Sequence, residues 1–122
     1  MEKQKICRIR DLFRAITSLE NMFQEAFDLN LNEAMLLCLL NEESSMTSTE
    51  IAEKLGLTAS NASKVLGSVE RKKLVKRSLG KTDRRQMHFK LSEQGQEKLG
   101  HIDCGRIELP EILAPLMEKQ GE

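Results

Sequence analysis

Residues 48–77 read STEIAEKLGLTASNASKVLGSVERKKLVKR, and this stretch decides the fold. It holds two helix starts close together. Thr47, just ahead of it, and Glu50 have the spacing of a capping box, in which a hydroxyl and a carboxylate each satisfy a backbone N–H of the first turn. Ile51, Ala52 and Leu55 give the next helix its inward face. Gly56 ends it, because glycine takes the left-handed conformation of a C-terminal cap without steric cost. Two residues later Thr58 caps a second helix. Its Ala62, Val65, Leu66 and Val69 share one face, and Ser60, Asn61, Ser63, Lys64 and Ser68 lie largely on the other. Two short helices joined by a tight glycine turn form a helix-turn-helix unit.

The polar face of the second helix carries the functional signal. Serine and asparagine cost helix propensity that Glu or Lys would not. Small polar side chains with one lysine suit a major groove about 12 Å wide, in which Asn pairs with adenine and Ser bonds base or phosphate. The expected base-facing residues are Ser60, Asn61, Ser63 and Lys64. Ser48 and Thr49, at the start of the preceding helix, are expected at phosphate.

After Lys73 the period changes from helix to strand. Val75–Leu79 and Gln86–Leu91 read as two strands, the second with Met87, Phe89 and Leu91 inward and His88 and Lys90 outward. His88 is expected to be solvated. The connecting loop carries Lys81, Asp83, Arg84 and Arg85. A hairpin directly after a helix-turn-helix is a wing. Asp83 can hold one arginine in an ion pair while the other enters the electronegative minor groove.

Upstream, Asn30 and Glu33 have capping-box spacing, and Ala34–Leu40 is apolar nearly all round, which predicts a buried helix with Cys38 as a small core residue. NEESSM then reads as a polar break. Ile9, Leu12, Ile16, Leu19, Phe23 and Ala26 recur at helical spacing and form one apolar stripe, expected to pack on the domain or on a second copy. Downstream, Ser92 is a cap. Gly95, Gly100, Gly105 and Pro110 predict short, broken helices, with another apolar patch at Ile112 and Leu116.

Charge sharpens this reading. The chain has 122 residues and as many Lys and Arg as Asp and Glu, 19 of each. Yet residues 54–90 carry eleven Lys and Arg against only Glu70 and Asp83, a net of +9 offset by −9 elsewhere. Such asymmetry fits a polyanion. Lys72, Lys73, Lys76 and Arg77 are expected to contact phosphates. The length suits one domain, and aromatic content of 3% demands an aliphatic core. Three scattered cysteines and two histidines give neither a disulfide framework nor a metal cluster, so no cofactor is expected. No nucleophile–base pair, paired carboxylates or phosphate loop suggests an enzyme. No apolar run is long enough for a membrane span and no secretory signal is visible, which predicts a cytoplasmic protein.

The ordered set LNLNEAMLLCLL, STEIAEKLGLTASNASKVLGSVERKKLVKR, DRR with its alternating strand, and LSEQG resembles the MarR (multiple antibiotic resistance regulator) family of winged-helix transcription factors. The resemblance covers about Leu29 to Gly95. It implies a mainly α fold with a small β-hairpin wing, and N- and C-terminal dimerisation helices. It implies a homodimer on a palindromic operator in double-stranded DNA, acting as a repressor, with the 58–71 helix in the major groove and the Asp83–Arg85 loop along the minor groove. A small-molecule effector would bind between the dimer helices and the DNA-binding lobe. On this basis residues 29–95 are the lobe, within a single domain of 1–122. Residues 1–28 and 96–122 are the dimerisation region, through Ile9, Leu12, Ile16, Leu19, Ile112 and Leu116. The sequence departs from the family at Lys73, where glycine is usual, and at Leu79, where proline is frequent near the start of the wing. The alternatives are a winged-helix adaptor that binds protein, and a regulator that senses oxidants through Cys7.

Overall fold

The helix starts at Thr47, Thr58 and Ser92 carry the caps read from the sequence in the structure, a computed structural model that describes residues 1–79, 86–105 and 107–118. Helix α1 spans Lys3–Phe27 and α2 spans Leu31–Glu43. The two-residue strand β1, Met46–Thr47, leads directly into α3, Ser48–Leu55. Thr47 Oγ1 accepts from the Glu50 N–H at 3.2 Å, and Glu50 Oε1 accepts from the Thr47 N–H at 3.1 Å, which completes the capping box. Gly56 closes α3 at φ 66°. Thr58 accepts from the Asn61 N–H and opens α4, Ala59–Arg71. Strands β2, Val75–Leu79, and β3, Met87–Leu91, follow, and then α5, Glu93–Cys104, capped by Ser92. A short 3-10 turn covers Ala114–Met117.

The chain divides into two compact units, Leu31–Gly105 and Met1–Asn30 with 106–122. The first is the winged helix. Its core is aliphatic: Leu36, Leu37 and Leu40 of α2, Ile51 of α3, and Ala62, Val65, Leu66 and Val69 of α4 are all buried. Each fully buried Leu or Ile contributes about 1.5–3 kcal/mol from leaving water. The sheet has three strands, ordered β1-β3-β2 and antiparallel throughout. Val75 pairs with Leu91 and Leu79 with Met87, and Phe89 faces both Met46 and Arg77 across its two neighbours.

Several expectations need correction. The polar break before α3 contains a strand, too short for alternation to reveal. Cys38 is exposed rather than a core residue, and Met35 on the same side of α2 is 45% exposed. An apolar run shows that a helix could be buried on any side, and only the packing selects the covered one. His88 is half-buried, not solvated, because β1 pairs along it; its Nδ1 lies 3.3 Å from Ser45 Oγ. Gly95 and Gly100 do not interrupt α5. Gly95 is instead a point of close approach: a Cβ there would overlap the carbonyl oxygen of Leu74. Glu33, expected as a capping partner, is 1% exposed, and its carboxylate also reaches the end of α4.

In the other unit α1 buries Ala15, Leu19 and Phe27, and Phe23 meets Phe27 edge-on with ring centroids 5.4 Å apart. Leu113 is buried in the tail. Ile6, Ile9, Phe13 and Ile16 are exposed along α1, as are Leu116 and Met117.

Candidate nucleic-acid interface

The candidate interface begins with what α4 buries. Its four apolar positions are all inside, so the opposite side of its first two turns can only face outward. Ser60, Asn61, Ser63 and Lys64 are all exposed there. Ser48 and Thr49 are exposed at the start of α3, and they share with Ser63 a cleft of about 200 Å3, walled also by Ala52, Glu53, Leu57 and Ala59. Two separate stretches of sequence thus supply one small, polar surface. The capping carboxylate of Glu50 is held below the usual range by the Thr47 N–H first and the Thr47 hydroxyl second, with a further lowering from the charge of His88. It stays anionic at neutral pH and turned toward the backbone it caps.

The basic residues behind this surface divide into two groups. Lys72 Nζ lies 3.1 Å from both carboxylate oxygens of Glu33, and Ser68 Oγ donates to the same carboxylate at 2.6 Å. Ser68 therefore belongs to the interior side of α4. Arg77 donates from Nε and Nη2 to the two oxygens of Glu70, at 2.6 and 3.0 Å, and its guanidinium carbon sits 5.6 Å from the centroid of the Phe89 ring. The hydrogen bonds to Glu70 first, and the Glu70 charge second, raise the Arg77 pKa above its usual value. Lys64, Lys73 and Lys76 are exposed, and no ion pair engages them among the described residues. Spacing within one helix could not reveal Glu33, Ser68 or Glu70 as partners, because all three contacts join different elements.

The wing residues Lys81, Asp83, Arg84 and Arg85 lie outside the described residues. The expected dimerisation residues separate by exposure. Ile9, Ile16 and Leu116 are exposed, Leu12 and Ile112 are half-buried, and Leu19 is consumed inside the chain. Phe13, 71% exposed, was missed; it lies four residues after Ile9 and three before Ile16, so a wider stripe would have included it.

A model of the MarR family matches residues 29–87, which take in α2, both helices of the turn and β2, and end at the first residue of β3. This chain belongs to the MarR family. An uncharacterized HTH-type transcriptional regulator of Bacillus subtilis, YfiV, is 33% identical over 98 residues, covering 77% of this chain. The chain spans 61% of the length of that relative. The fold is shared with S. aureus MepR in its DNA complex, at a TM-score of 0.76 and 20% identity over 98% of this chain and 88% of that one. It is shared too with an E. coli MarR variant complexed with operator DNA, at a TM-score of 0.72 and 19% identity over 84% and 76%. Lys73, just before the first wing strand, takes a left-handed conformation, φ 63°. Ser92 Oγ holds that bend by donating to the Lys73 carbonyl at 2.6 Å. Among the described residues no cluster of His, Cys, Asp and Glu is arranged to hold a metal, and no helix is long and apolar enough to cross a membrane.

Proposed function

We propose that this chain is a sequence-specific DNA-binding transcriptional regulator, a repressor acting as a homodimer on a palindromic operator in the cytoplasm. The observation that carries the reading is the division of α4: a complete apolar face inside, and Ser60, Asn61, Ser63 and Lys64 outside on a chain segment of net +9. α4 enters the major groove and its small side chains allow close approach. Asn61 reads a base edge, Ser60 and Ser63 bond base or phosphate, and Lys64 supplies charge. Ser48 and Thr49, in the cleft beside Ser63, bond a phosphate, as do Lys73 and Lys76. Lys81, Arg84 and Arg85 place the wing in the minor groove, with Asp83 orienting one arginine. The exposed apolar face of α1 and Leu116 supply the contact with a second copy, which puts two recognition helices on successive turns of DNA.

In vitro selection from a random duplex pool tests the reading. The expected result is a two-fold symmetric motif, bound with an affinity that falls steeply with salt. Asn61→Ala is expected to cost about 1–3 kcal/mol at one symmetric base-pair position and to relax the preference there. Failure to enrich any sequence over a range of salt would leave a protein-binding adaptor as the better reading.

A further inference from the structure

We propose that Lys72 and Arg77 are positioning residues that fix the C-terminal half of the recognition helix between α2 and the wing, and are not phosphate contacts. This rests on the DNA-binding reading and refines which of its cations do what.

The Glu33 carboxylate is almost fully buried, its side chain 2% exposed. A buried carboxylate is tolerated only when paired and hydrogen-bonded. Lys72 gives the charge and Ser68 a hydroxyl. Drawing the Lys72 ammonium out to a phosphate would take an adjacent positive charge away from that buried carboxylate. A phosphate at the surface, already solvated and screened, offers too little in return. On the other flank the two nitrogens of Arg77 fit the two oxygens of Glu70 as a fork. The same guanidinium lies over Phe89, whose ring is buried in the sheet.

Ser68, Glu70 and Lys72 all stand in the last turn of α4 or at its cap. Through them the helix is held to α2 on one side and to β2 on the other. Its N-terminal turns, where Ser60, Asn61, Ser63 and Lys64 stand, carry no ion pair to another element among the described residues. The helix is therefore anchored at one end and presented at the other. Each of the two pairs is neutral as a unit, so neither displaces a counterion from DNA when the lobe docks. The phosphate charge falls to Lys64, Lys73, Lys76 and the wing.

The test is a salt titration of the full chain by fluorescence anisotropy on two probes: a mixed-sequence duplex, and a duplex enriched by selection. Lys64→Met and Lys76→Met are each expected to flatten the plot of log affinity against log salt by about 0.9 per protomer. Lys72→Met and Arg77→Met are expected to keep the wild-type slope while the ratio of enriched to mixed-sequence affinity falls several-fold. Arg77→Lys keeps the charge but loses the fork, and is expected to lose the ratio as well. Glu33→Gln keeps an acceptor for Ser68 and releases the Lys72 charge, so its slope is expected to steepen. If Lys72→Met does not fold, the Glu33→Gln and Arg77→Lys results decide. A slope flattened by Lys72→Met or Arg77→Met as much as by Lys64→Met overturns the proposal, and so does an unchanged affinity ratio. A wild-type chain with no salt-dependent binding overturns the DNA-binding reading itself, and shows this before any variant is compared.

Discussion

Helices α1 and α4 are both amphipathic, yet they dispose of their apolar faces in opposite ways. α4 buries Ala62, Val65, Leu66 and Val69 within its own lobe and leaves a polar face to spare. α1 buries Ala15, Leu19 and Phe27 but leaves Ile6, Ile9, Phe13 and Ile16 between 40% and 71% exposed. A contiguous exposed apolar strip of that kind is the feature on which the proposed contact with a second copy rests. The exposed side of α4 is thus polar, and the exposed side of α1 apolar. One helix spends its whole apolar face within its lobe; the other leaves much of it exposed.

The double variant Ile9→Glu with Ile16→Glu puts the greatest strain on this contrast. It is expected to yield a monomer by sedimentation equilibrium, with α4 and its lobe still folded by circular dichroism. Affinity for a palindromic duplex is expected to fall about 10²–10⁴-fold, because the second half-site no longer binds as part of the same molecule. A variant that stayed dimeric would move the interface away from α1.

Gly95→Ala attacks the other side of the comparison, the self-sufficiency of the lobe. The added methyl would collide with the Leu74 carbonyl oxygen and crowd a Leu91 methyl, both fixed by the start of the sheet. Since backbone cannot yield as a side chain does, about 2–3 kcal/mol of destabilisation is expected. Thermal unfolding should show it as a midpoint lowered by roughly 8 °C or more. Oligomeric state should not change, since Gly95 is buried in the lobe.

What could be read from the sequence follows from the range of the physics involved. Thr47, Glu50, Gly56 and Thr58 act on backbone within four residues, so the caps and the helix-turn-helix were legible directly. The inward face of α4 was legible because a helical period fixes which residues share a side. α2 was not, since Ala34–Leu40 has no polar side to mark what lies outside, and Cys38 was placed in the core for that reason. The contacts of Glu33 with residues 35 and 39 positions away on α4 lay beyond the reach of spacing. The basic segment was legible as charge; its split into paired and unpaired cations was not, because that depends on long-range contacts with acids that a running sum merely subtracts.

Lys73→Gly is expected to have a smaller effect of opposite sign. Lys73 carries φ 63°, which costs an L-residue with a Cβ roughly 1–2 kcal/mol, and glycine returns part of this through its freer unfolded chain. A net gain of up to about 1 kcal/mol is expected in denaturant unfolding, with the Ser92 bond to the carbonyl retained. If Lys73 also contacts phosphate, the same variant is more stable and binds DNA with a flatter salt dependence. Stability and binding then part company at one residue.

The smallest effect tests whether the lobe's caps hold on their own account. Glu50 is highly exposed, and its carboxyl is depressed below the usual 4.5 by the Thr47 N–H and hydroxyl. A depressed folded-state value means the unfolded chain takes up the proton first as pH falls. The stabilisation is therefore whole above the unfolded value and is lost as pH drops through the folded one. Between about pH 5 and pH 3 the thermal midpoint of the wild type is expected to approach that of Glu50→Gln, which keeps an acceptor for the Thr47 N–H but has no charge to lose. Above pH 5 the wild type should stay slightly ahead by a constant margin. A margin that persisted at pH 3 would mean that the hydrogen-bond geometry, and not the charge, is what the carboxylate contributes to the start of α3.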